Sequence, residues 1–375
     1  MPTTTVAAVA RPSAPSFRWE TVTLDDPRPD EVLVRLVATG LCHTDLSVLA
    51  GRMPVPLPAV LGHEGAGVIE AVGEEVTDLA PGDRVVLTFD SCGRCADCRT
   101  GRPTRCAAYW PSNFGAARPD GSTPIRAEDG SPLGGRFFGQ SSLARHAIVA
   151  ARSVVRVEAA DDHALALLAP IGCGIQTGAG AIFNVLRPGP GDQVAVLGAG
   201  AVGLSAVMAA ALSAATQIVA VDKVPARLEL ARKLGATTTV DTGHEDIADR
   251  LKELTGGRGV THLVETTGVP ALLEQAADAV TVYGTIAVIG APPAGSRASF
   301  NVHALIDGRA VQGVTEGSSD RVTFIPALAE LFRQRRLPYD EFIRFYPADR
   351  LDQAVEDARS GRTIKPVISF ERDPQ

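Results

Sequence analysis

The residues with the clearest chemical potential are six cysteines. Four of them, Cys92, Cys95, Cys98 and Cys106, form a Cys-x2-Cys-x2-Cys-x7-Cys run. Thiolates this close along the chain can close a tetrahedral shell around one zinc ion, and Gly93 and Gly101 give the backbone freedom to wrap it. Six cysteines in 375 residues are too sparse for a disulfide scaffold, so metal is the better reading. A closed four-thiolate shell leaves no open position. The run therefore predicts a structural zinc in a small lobe, residues 90–107. Cys42 and Cys173 remain, far apart in sequence. With His63, in Gly62-His63-Glu64-Gly65, they supply the two-sulfur, one-imidazole ligand set of a catalytic zinc, whose fourth position is left for substrate. Spacing does not gather these three. Taken singly, each cysteine reads equally well as a small buried apolar residue, and His63 as a loop histidine.

A further signal is Gly198-Ala-Gly200-Ala-Val-Gly203, which follows the apolar run Gln193–Leu197 and opens a helical pattern. In such a turn the first glycine permits the tight bend. The second lets a pyrophosphate approach the backbone, and the third lets helix and strand pack closely. The helix N-terminus presents free N–H groups to the phosphates. Asp222 ends the next strand pattern. A carboxylate there accepts hydrogen bonds from the ribose hydroxyls of NAD and repels the 2′-phosphate of NADP; Lys223 beside it softens that preference.

The elements that must position these groups divide the chain. The first part is β-rich: Glu31–Ala38, Gly67–Val72 and Asp83–Thr88 are short Val-rich runs bounded by Gly, Pro and Asp. Residues 107–140, with six glycines and four prolines, read as a long loop or small lobe. From about 192, apolar runs alternate with helical patterns. The strands are Gln193–Leu197, Gln217–Val221, Thr237–Val240, Thr261–Val264, Thr285–Ile289 and Ala310–Gly313; the helices are Pro225–Leu234, Glu245–Leu254 and Pro270–Val280. This alternation predicts an α/β fold with a doubly wound parallel sheet. Two more helical patterns and a closing strand, Ile364–Phe370, form a tail that returns to the first domain. The expected division is 1–174, 175–317 and 318–375.

A formal charge of −7 and no basic run argue against nucleic acid as a partner. The stretch Gln193–Val221 carries no charge and is long enough to suggest a membrane span, yet its glycines and paired β-type runs fit a buried strand–turn–helix–strand better. Thr4–Ala10 is too short for a secretory leader and is interrupted by Arg11 and Pro12, so a cytoplasmic location is expected.

With these residues assembled, the chain resembles the zinc-containing medium-chain dehydrogenase/reductases over essentially its whole length. The matching segments are Gly40-Leu-Cys-His-Thr-Asp45, Gly62-His-Glu-Gly-Ala-Gly67, Pro81-Gly82-Asp83-Arg84-Val85, the four-cysteine lobe, Gly172-Cys173-Gly174 with Thr177-Gly178, and the glycine fingerprint. The resemblance implies a β-rich, chaperonin-10-like catalytic domain joined to a Rossmann domain, with the active site in the cleft between them. It implies two zinc ions, NAD, and hydride transfer between an alcohol and the nicotinamide. Cys42, His63 and Cys173 match the catalytic zinc ligands, and Asp45 the carboxylate that orients His63. Glu64 matches the nearby acid that approaches the metal during ligand exchange, and Thr44 the hydroxyl on the bound alcohol. Thr177 and Val202 match packing partners of the nicotinamide. His43 and Lys365 fall where the family often has basic groups on the pyrophosphate. Where many members place a proton-accepting histidine, this chain has Ser47, so the proton leaves either through Thr44 and the cofactor ribose or with help from His43. Phe89, Tyr109 and Trp110 are candidates for an aromatic substrate wall or for ordinary packing.

Phe137-Phe138-Gly139-Gln140-Ser141-Ser142, Glu316-Gly317-Ser318-Ser319-Asp320 and Ile364-Lys365-Pro366-Val367 resemble the aryl- or benzyl-alcohol branch. The implied substrate is a small primary alcohol, aromatic or allylic, giving the aldehyde. Polyol or threonine dehydrogenation and oxidation of the glutathione adduct of formaldehyde are the alternatives within the family. A zinc-ribbon binding module on a nucleotide-sensing domain is the reading from another class; the acidic balance and the three leftover ligands argue against it. The resemblance also implies a homodimer or homotetramer.

Overall fold

The structure is a computed structural model that describes residues 2–14 and 16–370. It contains two compact units. Residues 1–173, 320–330 and 340–375 form the first, and residues 174–319 and 331–339 the second. The tail is therefore divided, with one short piece going to the second unit.

The first unit is built on two sheets. One runs in the order Ala59–Val60, Thr3–Ala10, Arg18–Leu24, Ile125–Ala127, Pro132–Leu133. The apolar N-terminal stretch is thus the second strand of this sheet, pairing antiparallel with Arg18–Leu24 from Thr3 opposite Leu24 to Val9 opposite Arg18. The second sheet is ordered Val154–Arg156, Arg84–Leu87, Gly65–Val72, Glu31–Gly40, Lys365–Ser369, Ile343–Pro347, with His146–Ala150 also on Glu31–Gly40. Glu31–Gly40 is buried at nearly every position, so it reads as a continuous apolar run rather than an alternating one. The closing strand lies antiparallel to it, Val367 opposite Gly40. Backbone pairing of this kind carries Lys365 into the core of the first unit. The glycine- and proline-rich stretch 107–140 is not one loop. It holds a short helix, Tyr109–Phe114, two short strands and a 3-10 turn, Phe137–Gly139.

The second unit carries the expected parallel sheet, ordered Thr238–Asp241, Gln217–Asp222, Gln193–Leu197, Val260–Glu265, Val280–Val288, Ala310–Gly313. All of its pairings are parallel. The last helical expectation overran its end: the helix is Pro270–Ala277, because Val280 already starts the strand Val280–Val288. Strand order reverses beside Gln193–Leu197, which is where a doubly wound sheet opens a crevice for ligands. The uncharged stretch from 193 to 221 resolves into strand, glycine turn, helix Ala201–Ala211 and strand. Among the described residues no single helix is long and apolar enough to cross a membrane.

Candidate active site

Cys42 precedes a short helix, His43–Leu49, and its N–H donates to Oδ2 of Asp45 at 3.0 Å. That carboxylate caps the helix in the usual way, by accepting an orphan N–H of the first turn. Its other oxygen accepts from the N–H of Gly62 at 3.0 Å and lies 3.1 Å from Nδ1 of His63. One fully buried aspartate thus fixes the segments that carry Cys42 and His63. Holding the proton on Nδ1 leaves Nε2 as a lone-pair donor. Nε2 is buried and has no hydrogen-bond partner of ordinary geometry.

Cys173 follows the helical turn Ala169–Gly172, which packs so tightly that a Cβ at Gly172 would sit 2.1 Å from the carbonyl oxygen of Leu87. The donor atoms of Cys42, His63, Glu64 and Cys173 all lie within 4.8 Å of one another. Cys173 holds the Cys42 thiol well below its ordinary pKa, with His63 and Lys365 adding to the effect. Two sulfurs, an unpartnered imidazole nitrogen and a carboxylate around one point fit a zinc ion. Glu64 has room there only because residue 40 is glycine; a Cβ at Gly40 would lie 2.0 Å from Oε2 of Glu64. The carboxylate is paired with Lys365, whose ammonium the Glu64 charge keeps protonated against the pull of burial. Lys365 was expected on a pyrophosphate. Its ammonium is instead buried on Glu64, because the closing strand inserts it into the first unit.

The sulfurs of Cys92, Cys95, Cys98 and Cys106 form a second group, again within 4.8 Å of one another. Tetrahedral coordination at the ordinary Zn–S length sets sulfurs about 3.8 Å apart. Backbone N–H groups of Cys98 and Ala107 hold the Cys95 thiol at about 6. Burial pushes Cys106 up to about 12, a thiol that a cation in the cage would deprotonate. The cage fits a structural zinc.

The residues around His63 include several that the sequence did not single out for this role. Phe138 stacks on the imidazole with ring centroids 4.5 Å apart, and Phe137 meets it edge-on at 5.4 Å. Phe114 packs on both phenylalanines. Of the proposed wall, Trp110 stacks on Phe114 and is 54% exposed, whereas Phe89 is fully buried between Tyr109 and the Arg321 guanidinium. The Phe-Phe-Gly-Gln string was a visible signal; that it folds onto His63 was not. Thr44 lies with Oγ1 3.8 Å from Sγ of Cys42. His43 is exposed and Ser47 buried.

In the second unit Gly198 has φ of +92° and caps the strand Gln193–Leu197. A Cβ on Gly203 would lie 1.8 Å from the carbonyl oxygen of Gly198, so only glycine lets the helix approach. A Cβ on Gly200 would meet nothing within 4 Å: the space before the helix N-terminus is open. Asp222 accepts from the N–H of Ala199 at 2.7 Å, which sets its carboxylate beside the glycine turn. Lys223 is exposed. Thr177 lies on the helix Gly174–Gly180 and Val202 on Ala201–Ala211; these helices touch where a Cβ on Gly178 would come 2.0 Å from the Val202 carbonyl oxygen. The turn and its acid fit a dinucleotide.

Fold and sites together define an oxidoreductase that uses zinc and a nicotinamide dinucleotide. Comparison with known proteins agrees. Residues 28–159 match the alcohol dehydrogenase GroES-like domain and residues 201–333 the zinc-binding dehydrogenase domain. Geraniol dehydrogenase of Castellaniella defragrans is 42% identical over 367 residues, 97% of either chain. The structure of an alcohol dehydrogenase zinc-binding domain protein from Burkholderia ambifaria superposes with a TM-score of 0.96 at 48% identity, covering 99% of this chain and 100% of that one. Benzyl alcohol dehydrogenase of Acinetobacter calcoaceticus superposes at 0.94 with 43% identity, covering 98% and 100%. The chain belongs to the zinc-dependent medium-chain alcohol dehydrogenase family, close to its aryl-alcohol branch. It is an NAD-dependent enzyme that interconverts alcohol and aldehyde, which disposes of the zinc-ribbon binding-module reading.

Proposed function

We propose that the substrate is a primary alcohol with an aromatic or allylic group on its carbinol carbon, and that the enzyme oxidises it to the aldehyde with NAD. The observation that carries this reading is the aromatic packing at the metal ligands, where Phe137 and Phe138 hold His63 from two sides and Phe114 backs them. Such a surround favours flat, apolar substrates over polyols. The names of the benzyl alcohol and geraniol dehydrogenases, both similar along nearly the whole chain, point the same way. Oxidation of a glutathione adduct is the second reading within the family.

When bound, zinc polarises the alcohol oxygen and NAD accepts the hydride. Cys42, His63 and Cys173 hold the metal, and Asp45 fixes the imidazole. Thr44 accepts the hydrogen bond of the alcohol. The exposed His43 next to it carries the proton to water, a task for which the buried Ser47 lacks both basicity and access. The turn Gly198–Gly203 holds the pyrophosphate, Asp222 the ribose with Lys223 beside it, and Thr177 and Val202 pack on the nicotinamide. Lys365 acts through Glu64.

The exposed edge strand Ala310–Gly313, with Val302, Leu305 and Ile306 exposed nearby, supports a homo-oligomer in which two such strands pair. Six cysteines placed as metal ligands suit the reducing cytoplasm. The test is initial rates with benzyl, allylic, polyol and glutathione-adduct substrates, each with NAD and NADP. The aromatic or allylic alcohols with NAD should lead in kcat/KM by roughly 100-fold. A polyol or the glutathione adduct in first place would overturn this assignment.

A further inference from the structure

Gln140 is fully buried, and its amide head makes three hydrogen bonds, two of them to the segment His63–Gly65 that carries a metal ligand. Oε1 accepts from the N–H of Gly65 at 3.1 Å. Nε2 donates to the carbonyl oxygen of His63 at 2.9 Å and to that of Thr88 at 3.1 Å. One donor and two carbonyls fix which end of the amide is which. Thr88, also fully buried, passes the linkage on: its hydroxyl donates to the carbonyl oxygen of Gly172, the residue before Cys173, at 2.7 Å. A single chain of buried hydrogen bonds thus joins the residue that carries the imidazole to the residue that precedes the second sulfur ligand.

The backbone is bent to aim this side chain. Phe138, Gly139 and Ser141 have φ of +52°, +68° and +54°. For the non-glycine residues that conformation carries a cost. Side-chain and backbone bonds hold the loop against residues 60–62. The Ser141 hydroxyl donates to the carbonyl oxygen of Val60 at 2.7 Å, and Ser142 N–H to that of Gly62 at 2.9 Å. The same bend delivers the Phe138 ring to the face of His63. Asp45 fixes the imidazole through its ring nitrogen, whereas Gln140 fixes the same residue through its backbone.

We propose that Gln140 is a positioning residue for the catalytic zinc, clamping the His63 backbone and, through Thr88, the segment carrying Cys173, so that the metal is held in a preset ligand geometry. Partners that orient metal ligands typically change metal affinity or activity by about 10–100-fold when removed. Gln140→Leu abolishes all three bonds at similar bulk. Gln140→Glu keeps the acceptor for Gly65 but presents no amide donor to the two carbonyls.

The inference rests on Cys42, His63 and Cys173 being zinc ligands, and a His63→Ala control tests that separately by holding one zinc per chain in place of two. Two zincs retained there would remove the premise, whatever Gln140 does. Holoenzymes are challenged with the chelator 4-(2-pyridylazo)resorcinol and release of the two ions is followed, the structural phase being the one His63→Ala retains. Both Gln140 variants should release the catalytic zinc about tenfold faster or more, with the structural phase unchanged and kcat/KM lowered. Release at the parental rate overturns the proposal, and so does loss of both ions in step, which would mark Gln140 as a general core residue. Should the Gln140 variants fail to fold, Thr88→Val decides. Faster loss of the catalytic zinc alone, reversed in Thr88→Ser, supports the linkage; parental release in Thr88→Val, or no rescue by Thr88→Ser, overturns it.

Discussion

The ammonium of Lys365 lies 2.8 and 2.9 Å from the two oxygens of Glu64, and both side chains are buried among the donors of the catalytic metal site. Removing one partner of a buried ion pair leaves the other charge uncompensated, which typically costs about 3–5 kcal/mol. Lys365→Met should therefore destabilise the holoenzyme by about that amount in urea unfolding. An unchanged midpoint would mean that Glu64 has another source of neutralisation.

The bond between Asp45 and Nδ1 of His63 fixes which ring nitrogen faces the metal. Asp45→Asn keeps the shape and removes the charge. It should cost about 10–100-fold in zinc affinity or kcat/KM, read by metal titration and steady-state rates. Parental values in both would show that ring packing by Phe137 and Phe138 is sufficient.

Asp222 holds its carboxylate beside the glycine turn through the Ala199 N–H. Asp222→Gly should raise KM for NAD about tenfold or more and bring NADP closer to parity. A parent enzyme that already prefers NADP would sink the cofactor assignment.

Asp357 is held at about 2, below the ordinary 3.8, first by the Tyr346 hydroxyl and then by Arg362. A depressed carboxylate stabilises the folded state above its unfolded pKa, and that stabilisation fades as pH falls through the folded value. Tyr346→Phe should therefore be less stable than the parent at neutral pH, and the gap should close between about pH 4 and pH 2. Urea midpoints across that range give the answer; a gap independent of pH would assign the effect to packing.

Val311 is 39% exposed on the edge strand Ala310–Gly313, whose four residues are all exposed. A lysine on an edge discourages strand pairing. Val311→Lys should shift the protein toward monomer in sedimentation velocity, with the fold of each unit retained by circular dichroism. An unaltered oligomer would place the interface elsewhere.

The four-cysteine lobe, the glycine turn with Asp222 and the parallel sheet were all legible in the sequence because each is a local pattern. The cysteines that close one shell span Cys92 to Cys106, and the turn sits between a strand and the helix it opens. Periodicity and short spacing carry such information without any knowledge of the fold. The first unit was harder to read. Its N-terminal strand looked like a short apolar stretch, and Ile343–Pro347 was missed within the tail, since strands held by distant partners leave only weak local signals.

What the tertiary structure alone decided is the catalytic centre. Cys42, His63 and Cys173 could be singled out by type, and their likeness to a known ligand set gave them roles, but only packing brings their donor atoms within 4.8 Å. Lys365 was placed on a phosphate by its likeness to the family's basic groups; its ammonium is paired with Glu64, because an antiparallel strand from the far end of the chain carries it there. Gln140 was visible only as part of the Phe-Phe-Gly-Gln string, and Thr88 carried no signal of its own. An amide and a hydroxyl acquire a function only when burial removes water as their partner and leaves the metal-binding segments as the groups within reach.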